Sequence, residues 1–401
     1  MKRTPCSLAA LGQVNALGKT NAEIAPRLFA GDTSGLVLRD DLVPGRSLLF
    51  GAVRDPLPEI PARLARFACR NNRLALAALE QIGAEVDAAL SRFGRARIGI
   101  VVGTSTSGVG DAEEAIAVRE RTGALAREFD YAQLEFGGLA GFLAEATGAR
   151  GPAYTLSTAC SSGARALASA RSLVALGYCD AVISGAADSL CGLTANGFAS
   201  LGALSERVTN PCSRNRDGLT LGEGAALFLV TSDPGGVQLL GVGESSEAHH
   251  ISAPDPEGNG AEAAMRGALT DAGLSPGDIA YLNLHGTGTP QNDPMECAAV
   301  ARVFGTGLPC SSTKALIGHA LGAAGALEAA FCWLALAGRS RGALPLPPHV
   351  FDGERDPALA PIRLTIKGET ARIGAHPRVM TNSFGFGGNN CTLVLGTDGD
   401  A

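Results

Sequence analysis

Long apolar runs are missing from this sequence. No stretch reaches the roughly 18 uninterrupted apolar residues that a bilayer-crossing helix needs. The N-terminal MKRTPCSLAALGQVNALG meets polar Gln13 and Asn15 before it can build the apolar segment of a signal peptide. The chain therefore reads as soluble and cytoplasmic. Blocks of lysine and arginine are missing too: the formal net charge of -6 comes from interspersed acids and bases, which leaves no stripe for phosphates and excludes nucleic acid as a partner. Tryptophan occurs once. The ten cysteines never form Cys-x-x-Cys or the paired spacing of a zinc site, so no metal is expected. Most of them read as small buried apolar groups in a reducing compartment.

What the chain does have is glycine, 53 residues of it, and enough apolar residues over its 401 positions for a large core holding two domains or one doubled domain. Strand-like runs at 97–103, 153–157, 180–185, 225–230, 279–285 and 391–396 alternate with helical spacing at 62–83 and 163–177, the latter stopping at a glycine. The alternation predicts an α/β fold with largely parallel sheets. Turn formers concentrate in TSDPGGVQ (231–238), which divides the chain into halves 1–235 and 236–401. Each half places a reactive side chain ahead of an alanine-rich helix, TACSSGARALASARSLVALG in the first and IGHALGAAGALEAAFCWLALAG (317–338) in the second, so an internal duplication is expected.

Four segments carry chemistry. Cys160 stands between a β-rich run and a helix start; in a strand-to-helix turn, free N–H groups and the helix dipole would stabilise its thiolate. LHGTGTPQND (284–293) ends a strand at His285 and continues into a turn where Thr287 and Thr289 can hydrogen-bond an extended polar arm. In STKALIGHALGAAGALEAA (312–330), Lys314 and Glu328 flank His319 in sequence and can hold it neutral as a donor to a carbonyl. TNSFGFGGNN (381–390) embeds Phe384 and Phe386 among Gly385, Gly387 and Gly388 as a mobile loop that can gate an apolar tunnel and supply an oxyanion donor. Taken singly, each has a plainer reading: a buried thiol, a loop-bonded histidine, a solvated lysine, a turn into an edge strand.

Together, TACSSG, HGTGTPQND, KALIGHALGAAGALEA and NSFGFGGNN resemble the signature set of the condensing β-ketoacyl-acyl-carrier-protein synthases. The segment ALGQVNALGKTNAEIAPRLFAGDTSGL resembles that family's first βα unit, and RNRDGLTLGEGAALFLV (214–230) its central block. The resemblance implies the thiolase fold, two pseudo-duplicated α/β halves in five layers. It implies Cys160 as acyl-accepting nucleophile, His285 and His319 as the pair that activates a malonyl thioester, and the N–H groups of Cys160 and Phe384 as oxyanion donors. Lys314 and Glu328 would tune the second histidine.

Two histidines, in place of His plus Asn, are similar to the elongating class. That class takes its chains from an acyl carrier protein whose phosphopantetheine arm Thr287 and Thr289 would bind, and it uses no further cofactor. The resemblance also implies a homodimer, or a heterodimer with a ketosynthase-like subunit. Cys212 and Ser213 stand where many relatives carry Phe-Asp, and NGFASLGALSE, NPCSRNRDG and GESSEAHHISAPDPEGNG resemble the synthases of aryl-polyene pathways. Other readings are a chain-length-factor partner, which usually lacks the nucleophile, and a thiolase or acyl-CoA-using enzyme.

Overall fold

A computed structural model describes residues 6–340 and 342–398; the outermost residues of the two expected halves, 1–5 and 399–401, lie outside the described residues. Eleven strands matter for the site. In the first half they are β1 (Ser7–Asn15), β2 (Ile98–Gly103), β3 (Ala153–Leu156), β4 (Ala181–Asp188) and β5 (Gly224–Thr231). In the second they are β6 (Val237–Ser246), β7 (Tyr281–Asn283), β8 (Pro309–Ser311), β9 (Arg363–Leu364), β10 (Arg378–Gly385) and β11 (Asn389–Thr397).

Their order is β3-β2-β4-β5-β1 followed by β6-β11-β10-β7-β8-β9. A single pair, Ser7 with Gln238, joins β1 to β6, so the array works as two sheets in contact at one corner. Within each sheet the signs repeat. β1–β5 and β5–β4 are antiparallel, β4–β2 and β2–β3 parallel. β6–β11 and β11–β10 are antiparallel, β10–β7 and β7–β8 parallel. Without the two-residue β9, both halves read 1-5-4-2-3 in their own strand order. This is far stronger support for duplication than the likeness of two alanine-rich helices. The sheets are mixed rather than largely parallel as expected, because the last strand of each half runs antiparallel to both of its neighbours.

Helix α1 (Arg70–Glu80) covers the outer face of the first sheet, within a core that includes Leu74, Ala78, Ile100, Ile183 and Leu227. Helix α3 (Asn259–Ala272) covers the second, with Met265, Ala268, Leu282 and Val394. Between the sheets lie α2 (Ser162–Ala175) and α4 (Ala324–Ala337), whose buried alanines and leucines face both. The result is helix, sheet, helix, sheet, helix. In α4 twelve residues of fourteen are buried, which explains its all-round apolar sequence.

The small residues of α2 and α4 set how closely they meet. A Cβ on Gly163 would lie 2.7 Å from the Ala326 nitrogen, and one on Gly325 would lie 2.9 Å from that of Ala164. The two helices thus touch backbone to backbone at their N-terminal ends, which draws together the turns that precede them.

Two local expectations differ. The helical stretch 62–83 is a 3-10 segment, Ala62–Phe67, then α1, separated by Cys69 in an extended conformation; the buried Asn72 side chain donates to the Phe67 carbonyl across the break. The strand expected to reach His285 stops at Asn283, because the N–H groups of His285 and Gly286 are taken by the Glu296 carboxylate instead of a ladder. As expected, His319 precedes the alanine-rich helix, which begins at Ala324, and Gly318 and Leu321 on either side of the histidine adopt left-handed φ of 75° and 48°. His319 consequently sits in a turn.

Candidate active site

Cys160 lies in the turn between β3 and α2, as its sequence context predicts. The turn is wound tight by small hydroxylic residues: the Ser162 hydroxyl accepts from the Thr158 N–H and donates to the Ala159 carbonyl, and Ser161 donates to the Thr158 carbonyl. Ala159, just before the cysteine, takes a left-handed φ of 52°, a conformation that costs a non-glycine residue about 1 kcal/mol or more.

The Cys160 Sγ is 3.0 Å from His319 Nε2. His285 completes the group, its ring 5.4 Å from that of His319 and nearly perpendicular to it. The ligand-type atoms of all three fall within 4.8 Å of one another, although they are separated by up to 159 residues in sequence.

Electrostatics decide the resting state. Burial, reinforced by the positive charge of Lys314, holds His319 well below the usual histidine range. Burial, Lys314 and His319 do the same for His285. Both rings are therefore neutral at physiological pH, and their Nδ1 atoms have no hydrogen-bond partner among the described residues. Cys160 departs from expectation: burial pushes its thiol up to about 11, and the opposing pulls of Lys314 and of the Phe386 N–H do not offset it. The helix start does not make a resting thiolate here, because desolvation of the charge outweighs the nearby dipoles.

Lys314 is neither solvated nor bonded to His319. It is 1% exposed, and its ammonium group donates to the main-chain carbonyl of His285 and to Glu328 Oε1. Burial raises Glu328 to about 7 against the pull of Lys314. The lysine thus faces both histidines as a fixed positive charge anchored from behind.

A cavity of about 190 Å³ opens onto Cys160, His285 and His319. Thr287, Thr289, Phe384, Gly385 and Phe386 line it as expected, with Thr287 and Thr289 sharing a 2.9 Å hydroxyl contact. Gly387 is not among the lining residues. The expected mobile loop is a tight hairpin: β10 and β11 pair through Gly385 and Asn389, leaving Phe386–Gly388 as the turn.

Phe384 belongs to the strand, 6% exposed, with its ring 6.0 Å from that of His285. Phe386 is 37% exposed, packs on Phe198 at 5.5 Å, and it is the Phe386 N–H that faces the Cys160 sulfur. The N–H that faces the sulfur is thus at the start of the hairpin turn, two residues beyond Phe384, to which the resemblance assigns the oxyanion donor.

Sequence reasoning missed Glu296. Fully buried, it accepts from His285 N, Gly286 N, Asn292 Nδ2 and Asn382 Nδ2 and so shapes the histidine turn from below. An acidic residue one turn into an otherwise buried helix was the available signal.

A neutral histidine pair beside a cysteine, in a duplicated five-layer α/β frame, defines a thiolase-like condensing fold. Residues 51–234 match the model described as beta-ketoacyl synthase, N-terminal domain, and residues 237–345 match beta-ketoacyl synthase, C-terminal domain. The chain belongs to the beta-ketoacyl synthase family.

It is 45% identical to a chain of a solved ketosynthase (ApeO) in complex with its chain length factor (ApeC) from Xenorhabdus doucetiae, with 98% of both chains covered and a TM-score of 0.93. A beta-ketoacyl synthase from Burkholderia phymatum STM815 is 30% identical, with 99% of this chain and 100% of that one covered at a TM-score of 0.85. The 3-oxoacyl-[acyl-carrier-protein] synthase 2 of Coxiella burnetii is 37% identical over 264 residues, which cover 61% of this chain and 62% of that protein. The matches to the curated synthases thus span under two thirds of their length.

Proposed function

We propose that the chain catalyses decarboxylative Claisen condensation of an acyl chain, carried by an acyl carrier protein, with malonyl-acyl carrier protein, extending it by two carbons. The observation that carries this reading is Cys160 Sγ placed 3.0 Å from His319 Nε2 with His285 beside it, at the floor of a partly apolar cavity.

In the first half-reaction Cys160 attacks the carrier-bound thioester; the C–S bond to the carrier breaks, its thiol takes the proton, and an acyl-Cys160 remains. Malonyl-carrier then enters. The bond to its carboxylate breaks as carbon dioxide leaves, and the electron pair moves onto the thioester oxygen as an enolate, which receives hydrogen bonds from neutral His285 and His319. The carbanion attacks acyl-Cys160, the N–H groups of Cys160 and Phe386 take the developing oxyanion, and Cys160 departs as product forms. Burial keeps both histidines neutral, and the charge of Lys314, bonded to Glu328, reinforces it.

Thr287 and Thr289 hold the phosphopantetheine arm, which serves as substrate carrier with no further cofactor. Halves 1–235 and 236–401 contribute the nucleophile and the histidine pair respectively. The working unit is a homodimer or a heterodimer with a ketosynthase-like subunit, in the cytoplasm, acting on fatty-acid or aryl-polyene-type chains. No helix among the described residues is long and apolar enough to cross a membrane.

Intact-protein mass spectrometry after incubation with acyl-carrier proteins tests this. One acyl mass added to the protein, discharged by malonyl-carrier, is expected; no adduct from any acyl-carrier donor would overturn the reading. The depressed histidines also predict a pH profile. Because both lie well below 6.5, malonyl decarboxylation should stay flat from pH 8 down to pH 6 and fall only in more acid solution, where the rings take up protons and Lys314 opposes the added charge. A decline centred near pH 6.5 would contradict their assigned state.

A further inference from the structure

Asp188 closes strand β4 and is completely buried, and no cationic side chain pairs with it among the described residues. A carboxylate in that position is costly unless hydrogen bonds replace its water, and here five do. Oδ1 accepts from the Thr104 hydroxyl at 2.6 Å, the Ser105 N–H at 2.8 Å, the Thr106 N–H at 2.9 Å and the Thr106 hydroxyl at 2.8 Å; Oδ2 accepts from the Ala323 N–H at 3.1 Å.

The two oxygens therefore hold different segments. Oδ1 gathers residues 104–106, where the Ser105 hydroxyl reaches the Ala159 carbonyl beside the nucleophile and Thr104 Oγ1 accepts from the Ser107 N–H. Oδ2 holds Ala323, at the end of the turn that begins with His319 and opens α4. Four non-glycine residues among those described have left-handed φ, and three of them, Ser107, Ala159 and Leu321, lie in the segments that Asp188 ties together. Strained turns persist only where the surroundings over-determine them. The N-terminal side of the His319 turn is fixed separately, by main-chain bonds from His319 N to Thr220 O and from Gly222 N to His319 O.

We propose that Asp188 is a positioning residue that sets the register of His319 against Cys160 by clamping the turns behind both. The inference deepens the condensing reading and rests on it for its kinetic consequence, whereas its geometric consequence stands alone.

Asp188→Asn is the discriminating variant. An asparagine keeps an acceptor for the four donors on Oδ1 but turns an N–H₂ toward the Ala323 N–H, so it breaks the link to the His319 turn alone. In a crystal structure of this variant the His319 Nε2 to Cys160 Sγ separation should open beyond hydrogen-bond range. The kcat for condensation should fall about tenfold or more with KM for both carrier substrates within about twofold. Thr104→Val, which removes one donor on the other side, should lower thermal stability with kcat near native.

A folded Asp188→Asn protein with native separation and native kcat would overturn the proposal. So would kcat and KM worsening together in step with lost stability, the mark of a structural role only. Should the native protein itself fail to condense any carrier pair, the functional reading falls and the separation in the variant decides the positioning role by itself.

Discussion

Cys160→Ala should leave no acyl mass on the protein from any carrier donor and lower condensation about a thousandfold or more, the scale seen when a covalent nucleophile is removed. The reason lies in the division of labour at the site. Sγ is the thiol that opens onto the cavity, and the histidines beside it are neutral donors that cannot hold a chain as a thioester. His319→Ala provides the contrast: its ring is needed once malonyl-carrier has entered, so the variant should still accept an acyl group and then fail to discharge it. Mass spectrometry before and after adding malonyl-carrier reads both. A Cys160→Ala protein that condenses, or a His319→Ala protein that discharges normally, would remove the respective role. The thiol's elevation to about 11 adds that alkylation of free Cys160 should be slow at neutral pH, since little thiolate is present.

Lys314→Met should destabilise the protein by about 3–5 kcal/mol, because it leaves the buried Glu328 carboxylate without its counter-charge. The loss should depend on pH in a definite direction. Glu328 already sits at about 7 in the folded protein, above its ordinary value of 4.5, and without Lys314 it rises further. A carboxyl raised on folding contributes stability that is present below its unfolded value and is lost as pH climbs through the folded one. Denaturant midpoints of Lys314→Met should therefore be worse at pH 8 than at pH 6. The double variant Lys314→Met with Glu328→Gln should recover much of the stability, since no charge is then stranded. It should not recover condensation, because the positive charge facing the two histidines is still missing. A single variant as stable at pH 8 as the native protein would show that Glu328 does not depend on Lys314.

Much of the chemistry was legible from residue order. Cys160 between a β-rich run and a helix, histidines at 285 and 319, and paired threonines after the first of them all sit at the cavity that the fold creates. What residue order obscured was local geometry. Phe384 and Phe386 are indistinguishable in NSFGFGG, and only the hairpin, which keeps one in a strand and turns the other's N–H toward sulfur, separates their roles. His319 reads from sequence as standing ahead of its helix, but the turn that holds it, with Gly318 and Leu321 at left-handed φ, is not visible in GHALGAAGALEAA. Glu296 and Asp188 escaped notice because an acid at the edge of an apolar segment reads as a surface group until its donors are in view.

The sequence by itself determined the identity of the reactive groups, the alternation that makes an α/β fold, and the glycines at 163 and 325 that let two helices touch. These follow from side-chain chemistry and local backbone preference. The tertiary structure alone decided that Cys160 and His319, 159 residues apart, meet at 3.0 Å, and that burial leaves the cysteine protonated and both histidines neutral. Proximity across long sequence separations and the loss of water around a charge are properties of the packed whole, and no local segment carries them.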